Sequence, residues 1–224
     1  MLFRSINMKN VIITISRQYG SGGRQIAQLL SKELNIPYYD NELISMAAEK
    51  SGIKDEIFKD AELQAGNNFL YLLSRLGPET QVYGMPFNEK IFNIQSQVIR
   101  DLAAKGPCVI VGRCADYVLN DYQNTVNVFT YAPFQTRVAR AVTEYGLNRE
   151  NAEKDVRKVD KARESYYNYH TGNKWGNAAN YDLMINMNFL TPESAVKLIL
   201  DYLDLRSDEE VRKPYGKIGR ASCR

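Results

Sequence analysis

The stretch IITISRQYGSGGRQIA, residues 12–27, joins an apolar run to a cluster of glycines and then to a helix-like segment. The apolar run is rich in isoleucine and lacks strict polar alternation, which is typical of a strand buried on both faces of a parallel sheet. The segment after the glycines places Ile26, Leu29 and Leu30 on one helical face. A buried strand, a glycine turn and a helix in this order predict an α/β fold with the turn at the carboxyl edge of the sheet.

The same alternation of strand and helix patterns continues along the chain. Further short apolar runs, which predict strands, occupy residues 37–40, 108–112, 126–131 and 182–187. Helical periodicity lies between and after them, in residues 89–106, 132–146 and 191–205. This order predicts a parallel sheet with right-handed crossovers. Residues 41–107 exceed the length of a single crossover helix, so we expect a helical subdomain there.

Composition narrows the classes of function. The 224 residues are 44% apolar and 25% charged, and the net charge is +3, which is ordinary for a globular domain. This mild charge does not indicate a nucleic-acid partner, and no apolar run reaches the roughly 18–20 residues of a membrane span. Three cysteines without C-x-x-C spacing and a single histidine predict neither a disulfide framework nor a metal site. We expect a cytoplasmic protein without a signal peptide. The sequence is compatible with a homo-oligomer.

The glycine turn departs from the phosphate-binding pattern G-x-x-x-x-G-K-[ST], in which backbone N–H groups hold phosphates and a lysine reaches the outer ones. In this frame Arg17 replaces the first glycine and Gly23 replaces the lysine. The helix that begins at the turn would still present N–H groups and a dipole that favour an anion. Arg17 or Arg24 would supply the missing positive charge. The residues expected around the phosphate are therefore Gly20, Ser21, Gly22, Gly23, Arg24 and Gln25.

Two alternatives compete for the same turn. Gly20, Ser21 and Gly22 also begin the dinucleotide-binding pattern G-x-G-x-x-G, and Asp40 follows the second predicted strand, where a ribose-binding acid would lie. The third glycine of that pattern falls on Gln25, so an NAD-binding enzyme is the lesser hypothesis. The other alternative is a tight turn that binds no ligand.

Charged residues follow the second and third predicted strands, where ligands gather in parallel sheets. Asp40 follows the second strand, as a ligand contact or a helix cap, and Arg113 follows the third. Beyond the fourth strand, residues 137–163 carry eight basic and five acidic side chains. Such a segment is either a solvated helical face or a mobile lid that closes over phosphates and neutralises their charge.

The order of these motifs resembles the cytidylate kinase-like family, whose loops are similar to ISRQYGSGG, YYD, VGRCADY and DKARESYYNYHTGNKWG of this chain. The resemblance covers about residues 9–205 and implies a three-layer P-loop kinase domain with a five-stranded parallel sheet flanked by helices. It implies an acceptor-binding helical subdomain within residues 41–107 and a lid at residues 149–171. The remaining residues 1–8 and 206–224 are expected to be peripheral tails, the second because it is polar and contains glycine. The resemblance also implies transfer of the γ-phosphoryl group from ATP, with Mg²⁺, to a nucleoside monophosphate or similar small acceptor.

The resemblance implies roles for Arg113, Asp116, Asp160 and the basic residues of the lid, whereas Arg17, Arg24 and Asp40 are expected from their positions at the turn and the strand ends. The expected substrate-binding residues are Asp40, Arg113, Asp116 and Asp160, and the expected catalytic cations are Arg17, Arg24, Arg157, Lys161 and Arg163. The chain departs from the family pattern at the absent lysine, at Cys114 in place of the acid of G-R-D, and at Met46 in place of an arginine. A non-catalytic nucleotide sensor of the same fold is therefore the main alternative. Base stacking on RNA by the tyrosines of ESYYNYH ranks last.

Overall fold

The computed structural model describes residues 11–52 and 87–206. Its sheet has five parallel strands in the order β2-β3-β1-β4-β5, which confirms the predicted fold class. The strands are β1 (Ile12–Arg17), β2 (Tyr38–Tyr39), β3 (Cys108–Val111), β4 (Thr125–Tyr131) and β5 (Leu183–Asn186). Because β3 lies between β1 and β2, the order differs from the 3-2-1-4-5-6 order of classic dinucleotide-binding folds, which disfavours the NAD-binding hypothesis.

Helices cover both faces of the sheet. They are α1 (Gly23–Leu34), α2 (Glu42–Ser51), α3 (Phe87–Lys105), α4 (Ala115–Val118), α5 (Phe134–Thr143), α6 (Ala152–Thr171) and α7 (Pro192–Leu205), with a 3₁₀ turn at Ala178–Asn180. Residues 53–86 of the expected acceptor subdomain lie outside the described residues, as do the tail 1–8 and all but the first residue of the tail 206–224. Within the described part of the chain, no helix combines the length and apolarity needed to cross a membrane.

The central strand β1 joins two hydrophobic cores, because its alternating side chains enter opposite faces of the sheet. Ile12 packs on one face with Leu43 of α2 and Ile99 of α3. Ile13 packs on the other face with Ile26 of α1 and Ile199 of α7. All six of these side chains are fully buried or nearly so, and each contributes about 1.5–3 kcal/mol of transfer free energy. Burial on both faces explains why this strand shows no polar alternation.

A side-chain cap and a proline mark the start of the last helix. The Thr191 hydroxyl accepts a hydrogen bond from the Ser194 N–H at 3.2 Å, and Pro192 occupies the first helical position. Such a cap satisfies one of the N–H groups that a helix leaves unpaired at its start. The cap fixes where α7 begins, so that its apolar face covers the same side of the sheet as α1.

Candidate active site

The glycine turn between β1 and α1 is shaped by its contact with α5. Gly20 and Gly22 have φ angles of 78° and 85°, in the left-handed region that favours glycine. A Cβ atom added at Gly20 would lie 2.4 Å from the carbonyl oxygen of Arg137, so no side chain fits there. Ser21 is fully buried, and its hydroxyl donates to the Gln18 carbonyl at 2.8 Å. Close packing of backbone on backbone is thus one reason for the glycines in this turn.

The position of the missing lysine has no space for a long side chain. A Cβ atom on Gly23, the first residue of α1, would lie 2.7 Å from the Thr130 hydroxyl and 2.8 Å from Cβ of Arg17. Cβ atoms essentially never approach other atoms so closely, so Thr130, Arg17 or the turn would have to shift to admit a side chain. The stem of Arg17 therefore fills the volume next to the position where the standard motif carries its lysine.

A cavity of about 200 Å³ opens beside the turn, at the carboxyl ends of β1 and β3. Its walls carry the four guanidinium groups of Arg17, Arg24, Arg113 and Arg163, and we call it the arginine cavity. Aromatic side chains complete the walls, namely Tyr166, Tyr167 and Trp175. In the described chain, the expected phosphate-binding residues Gly20, Ser21, Gly22, Gly23 and Gln25 do not line this cavity. Of that set, only Arg24 does.

Asp40 organises two of these arginines. Its Oδ1 lies 3.3 Å from Nη2 of Arg17 and its Oδ2 lies 2.6 Å from Nε of Arg24. The Tyr38 hydroxyl donates to the same Oδ2 at 3.3 Å. The side chain of Asp40 is only 3% exposed, whereas that of Arg24 is 53% exposed. Asp40 therefore holds cations at the cavity edge, and it is Asn41, not Asp40, that stands at the cap position of α2.

The buried arginines lower one another's affinity for protons. Burial, and next the charge of Arg17, lower the pKa of Arg113 to about 10 and the pKa of Arg163 to about 9. Burial likewise lowers the pKa of Arg17, against the opposing attraction of Asp40. Arg163 also donates from Nη1 to the Arg17 carbonyl at 3.1 Å. So much positive charge beside one carboxylate favours an anion in the cavity.

The turn after β3 directs Arg113 into the cavity. Gly112, Arg113 and Cys114 adopt φ angles of 72°, 58° and 55°, three left-handed residues in succession. A non-glycine residue in this region costs about 1–3 kcal/mol and usually marks a functional turn. A Cβ atom on Gly112 would lie 2.0 Å from Nη1 of Arg17, so the guanidinium of Arg17 rests directly on this glycine.

Asp116 lies behind the wall of the cavity and is not among its lining residues in the described structure. Its side chain accepts a hydrogen bond from the Tyr167 hydroxyl at 2.7 Å, and burial raises its pKa to about 6. The acids near the cavity do not fit a magnesium ligand set, because Asp40 binds two guanidinium groups and Asp116 supports Tyr167. Within residues 11–52 and 87–206 no cluster of three potential metal-ligating side chains occurs.

Helix α6 brings only one of its three expected catalytic cations to the cavity. Arg163 lies on the face that also presents Val159, Ala162 and Tyr166 to the cavity. Arg157 and Lys161 are exposed, and the guanidinium of Arg157 stacks on the Phe134 ring at 3.9 Å. A helix turns by about 100° per residue, which rotates both side chains far from the face of Arg163. The charge count of the segment did not reveal this division.

The structure also assigns contacts to two arginines that sequence reasoning had counted only as part of a charged segment. Arg137 is 6% exposed and donates to the Tyr19 carbonyl at 2.9 Å, while Arg140 donates to the Gly20 carbonyl at 2.9 Å. Asp160 of α6 accepts from the Tyr19 N–H at 2.7 Å. Helices α5 and α6 thus bind the glycine turn directly. The spacing of arginines on an amphipathic helix was the only signal available, and it did not identify their partners.

Comparison with known proteins places this geometry in context. The model of the cytidylate kinase-like family matches residues 12–188. A cytidylate kinase from Thermoplasma volcanium is 25% identical over 206 residues, which cover 90% of this chain and 96% of the relative. The crystal structure of an uncharacterized protein from Eubacterium ventriosum is 29% identical, with a TM-score of 0.65 and coverage of 88% of this chain and 99% of that one.

A more distant structure shares the fold alone. Shikimate kinase from Acinetobacter baumannii, solved in complex with shikimate, is 15% identical, with a TM-score of 0.52. The match covers 92% of this chain and 99% of that enzyme. The family match spans the sheet, the glycine turn and the whole of α6, and with it the described walls of the arginine cavity. The chain belongs to the cytidylate kinase-like family.

Proposed function

We propose that the protein is an ATP-dependent kinase that transfers the γ-phosphoryl group to a small phosphorylated acceptor, in the first instance a nucleoside monophosphate. The observation that carries the proposal is the arginine cavity, which gathers four guanidinium groups at the carboxyl edge of the sheet, two of them paired with Asp40. Arginine forks bind phosphate oxygens in pairs, so this chemistry suits a phosphate-bearing ligand. The family assignment and the kinase fold support the same class of reaction.

Phosphoryl transfer asks a protein mainly for positioning and for neutralisation of charge on the transferred group. Arg113 and Arg163 would bind the acceptor phosphate in the cavity, and the aromatic side chains of its wall would pack against the rest of the acceptor. The amides of residues 20–23 would hold the donor phosphates at the start of α1. Arg17 and Arg24 would take the electrostatic role of the absent lysine. Mg²⁺ would enter with ATP, bound to the donor's own phosphates.

A coupled turnover assay with ATP and a panel of nucleoside monophosphates tests the proposal. Replacing Arg113 with methionine should lower kcat/KM for the preferred acceptor by about 10²–10³-fold, because a buried cation at the reacting phosphates is lost. Arg100→Met is the matched control, since Arg100 is exposed on α3. Equal turnover in wild type and Arg113→Met, with the same acceptor, would refute the assignment of the cavity.

A second candidate is a nucleotide sensor that binds ATP without transferring phosphate. One observation favours it, namely that Gly23 has no space for the lysine that reaches the outer phosphates in standard loops. Isothermal titration with ATP separates the two candidates when it is run beside the turnover panel. Binding of ATP without turnover of any acceptor would favour the sensor, and binding with turnover would favour the kinase.

A further inference from the structure

A carboxylate of the protein itself, that of Asp160, binds the glycine turn. Oδ1 of Asp160 on α6 accepts a hydrogen bond from the backbone N–H of Tyr19 at 2.7 Å. Its other oxygen, Oδ2, pairs with the guanidinium of Arg137. The Asp160 side chain is 17% exposed and that of Arg137 is 7% exposed, so most of this contact is shielded from water.

Backbone carbonyl groups hold the Arg137 guanidinium in place. Besides Asp160, the Arg137 guanidinium donates to the carbonyl of Tyr19 at 2.9 Å and to that of Ala132 at 3.1 Å. The carbonyl oxygen of Arg137 in turn lies against the face of Gly20 where a side chain would project. The carboxylate, the cation and the turn therefore form one connected network, in which α6 is held to the turn by Asp160.

Carboxylate and phosphate oxygens bind the same donors. Backbone N–H groups at the start of a helix and guanidinium groups are the usual protein partners of phosphate, and a carboxylate uses them in the same geometry. Tyr19 directly precedes the amides of residues 20–23, so a donor phosphate held by them would lie beside a Tyr19 N–H and an Arg137 guanidinium that Asp160 already binds. The two anions would also repel each other at this distance.

We propose that Asp160 is an internal competitor of the donor phosphate, so that ATP reaches the glycine turn only when α6 releases the Tyr19 amide. This inference rests on the proposed function, because it takes the turn to be the donor site. Release of Asp160 would also connect the glycine turn to the arginine cavity. Arg163, one turn further along α6, enters the arginine cavity and binds the Arg17 carbonyl, so release of Asp160 would move Arg163 as well.

The expected effect follows from the fraction of molecules in which α6 has released the turn. The apparent Kd of a ligand equals its intrinsic Kd divided by that fraction. Exchanging an ionised acceptor for a neutral amide weakens the hydrogen bond to Tyr19 and the attraction to Arg137. Asp160→Asn should therefore tighten the binding of ATP, by about tenfold. Asp160→Glu keeps the charge and is not expected to tighten it to the same extent.

Isothermal titration of the full chain with ATP, and separately with tripolyphosphate, tests the proposal. The control variant is Glu164→Gln, which removes the same charge from an exposed position one turn along α6. Hydrogen exchange at the Tyr19 amide is measured in parallel, and Asp160→Asn should accelerate it whereas Glu164→Gln should not. Tighter binding of ATP and tripolyphosphate by Asp160→Asn alone supports internal competition.

The remaining outcomes overturn the proposal in distinguishable ways. If wild type binds ATP and Asp160→Asn binds it equally or more weakly, Asp160 is a structural contact and the kinase proposal is untouched. If Glu164→Gln tightens binding as much as Asp160→Asn, the effect is one of overall charge. If neither wild type nor Asp160→Asn binds ATP or tripolyphosphate, the turn is not a phosphate site, and the proposed function fails together with the competition.

Discussion

Replacing Gly20 with alanine tests whether contact with α5 shapes the glycine turn. Two separate costs are expected. A left-handed backbone costs an L-residue about 1 kcal/mol, which applies because φ is 78°. The new methyl group would also lie 2.4 Å from the Arg137 carbonyl, and relieving such an overlap typically costs a further 1–3 kcal/mol or so. The free energy of unfolding should therefore fall by about 2–4 kcal/mol.

Gly172 provides a matched control for the backbone cost. It ends α6 with a φ of 67°, and a Cβ atom there would meet nothing within 4 Å. Gly172→Ala should therefore show the backbone cost alone, about 1 kcal/mol. Domains of this length lose roughly 2–4 °C of Tm per kcal/mol, so thermal unfolding followed by circular dichroism should give losses of about 4–16 °C for Gly20→Ala and 2–4 °C for Gly172→Ala. Equal losses would show that the contact with α5 does not constrain the turn.

Three further predictions concern the cations and the histidine. Gly23→Lys should lower the free energy of unfolding by about 1–3 kcal/mol and leave ATP-dependent turnover no higher, since no space exists for the side chain; a gain in turnover would contradict this. Arg113→Met should unfold at an equal or higher temperature despite its loss of turnover. Burial and the charge of Arg17 lower the pKa of Arg113 to about 10, which means that the folded state destabilises this cation. A lower Tm would contradict a net repulsion of Arg113 in the cavity. His170 is the chain's single histidine, and burial lowers its pKa to about 4. Its neutral form stabilises the fold fully above about pH 6.5, and this stability is lost as the pH falls toward 4; an NMR titration of the imidazole with a midpoint near 6.5 would refute the burial argument.

The sheet was predictable because burial on both faces leaves a continuous apolar signal. The predicted strand at residues 108–112 corresponds to Cys108–Val111, and that at 126–131 corresponds to Thr125–Tyr131. The run at 37–40 forms only the short strand Tyr38–Tyr39. This strand lies at the edge of the described sheet, where it pairs with β3. The order of the strands could not be derived from local patterns, because it depends on how the crossovers pass over one another.

The candidate site was predictable only where a strand end determines the position of a side chain. Arg17 is the last residue of β1 and Arg113 comes two residues after the adjacent strand β3, and the structure brings them to one cavity. Sequence alone does not define which face of α6 meets the cavity, so a count of charges does not separate Arg163 from Arg157 and Lys161, which lie on another face. The partners of Arg137 and Asp160 depend on tertiary contacts between helices and a turn, which no spacing rule encodes. Whether these residues act in catalysis stays a prediction.

The three left-handed residues after β3 set a limit on how far the domain could be made heat-resistant. Cys114 holds a backbone conformation that an L-residue avoids, so glycine there would relieve the backbone cost, against the loss of a buried thiol that packs with Tyr166 and Tyr167. The same exchange would enlarge the range of shapes open to the turn and so blur the direction in which the Arg113 guanidinium points. At this turn, a lower backbone strain and a fixed direction of the Arg113 guanidinium are therefore opposing requirements, and the sequence keeps the strained residue.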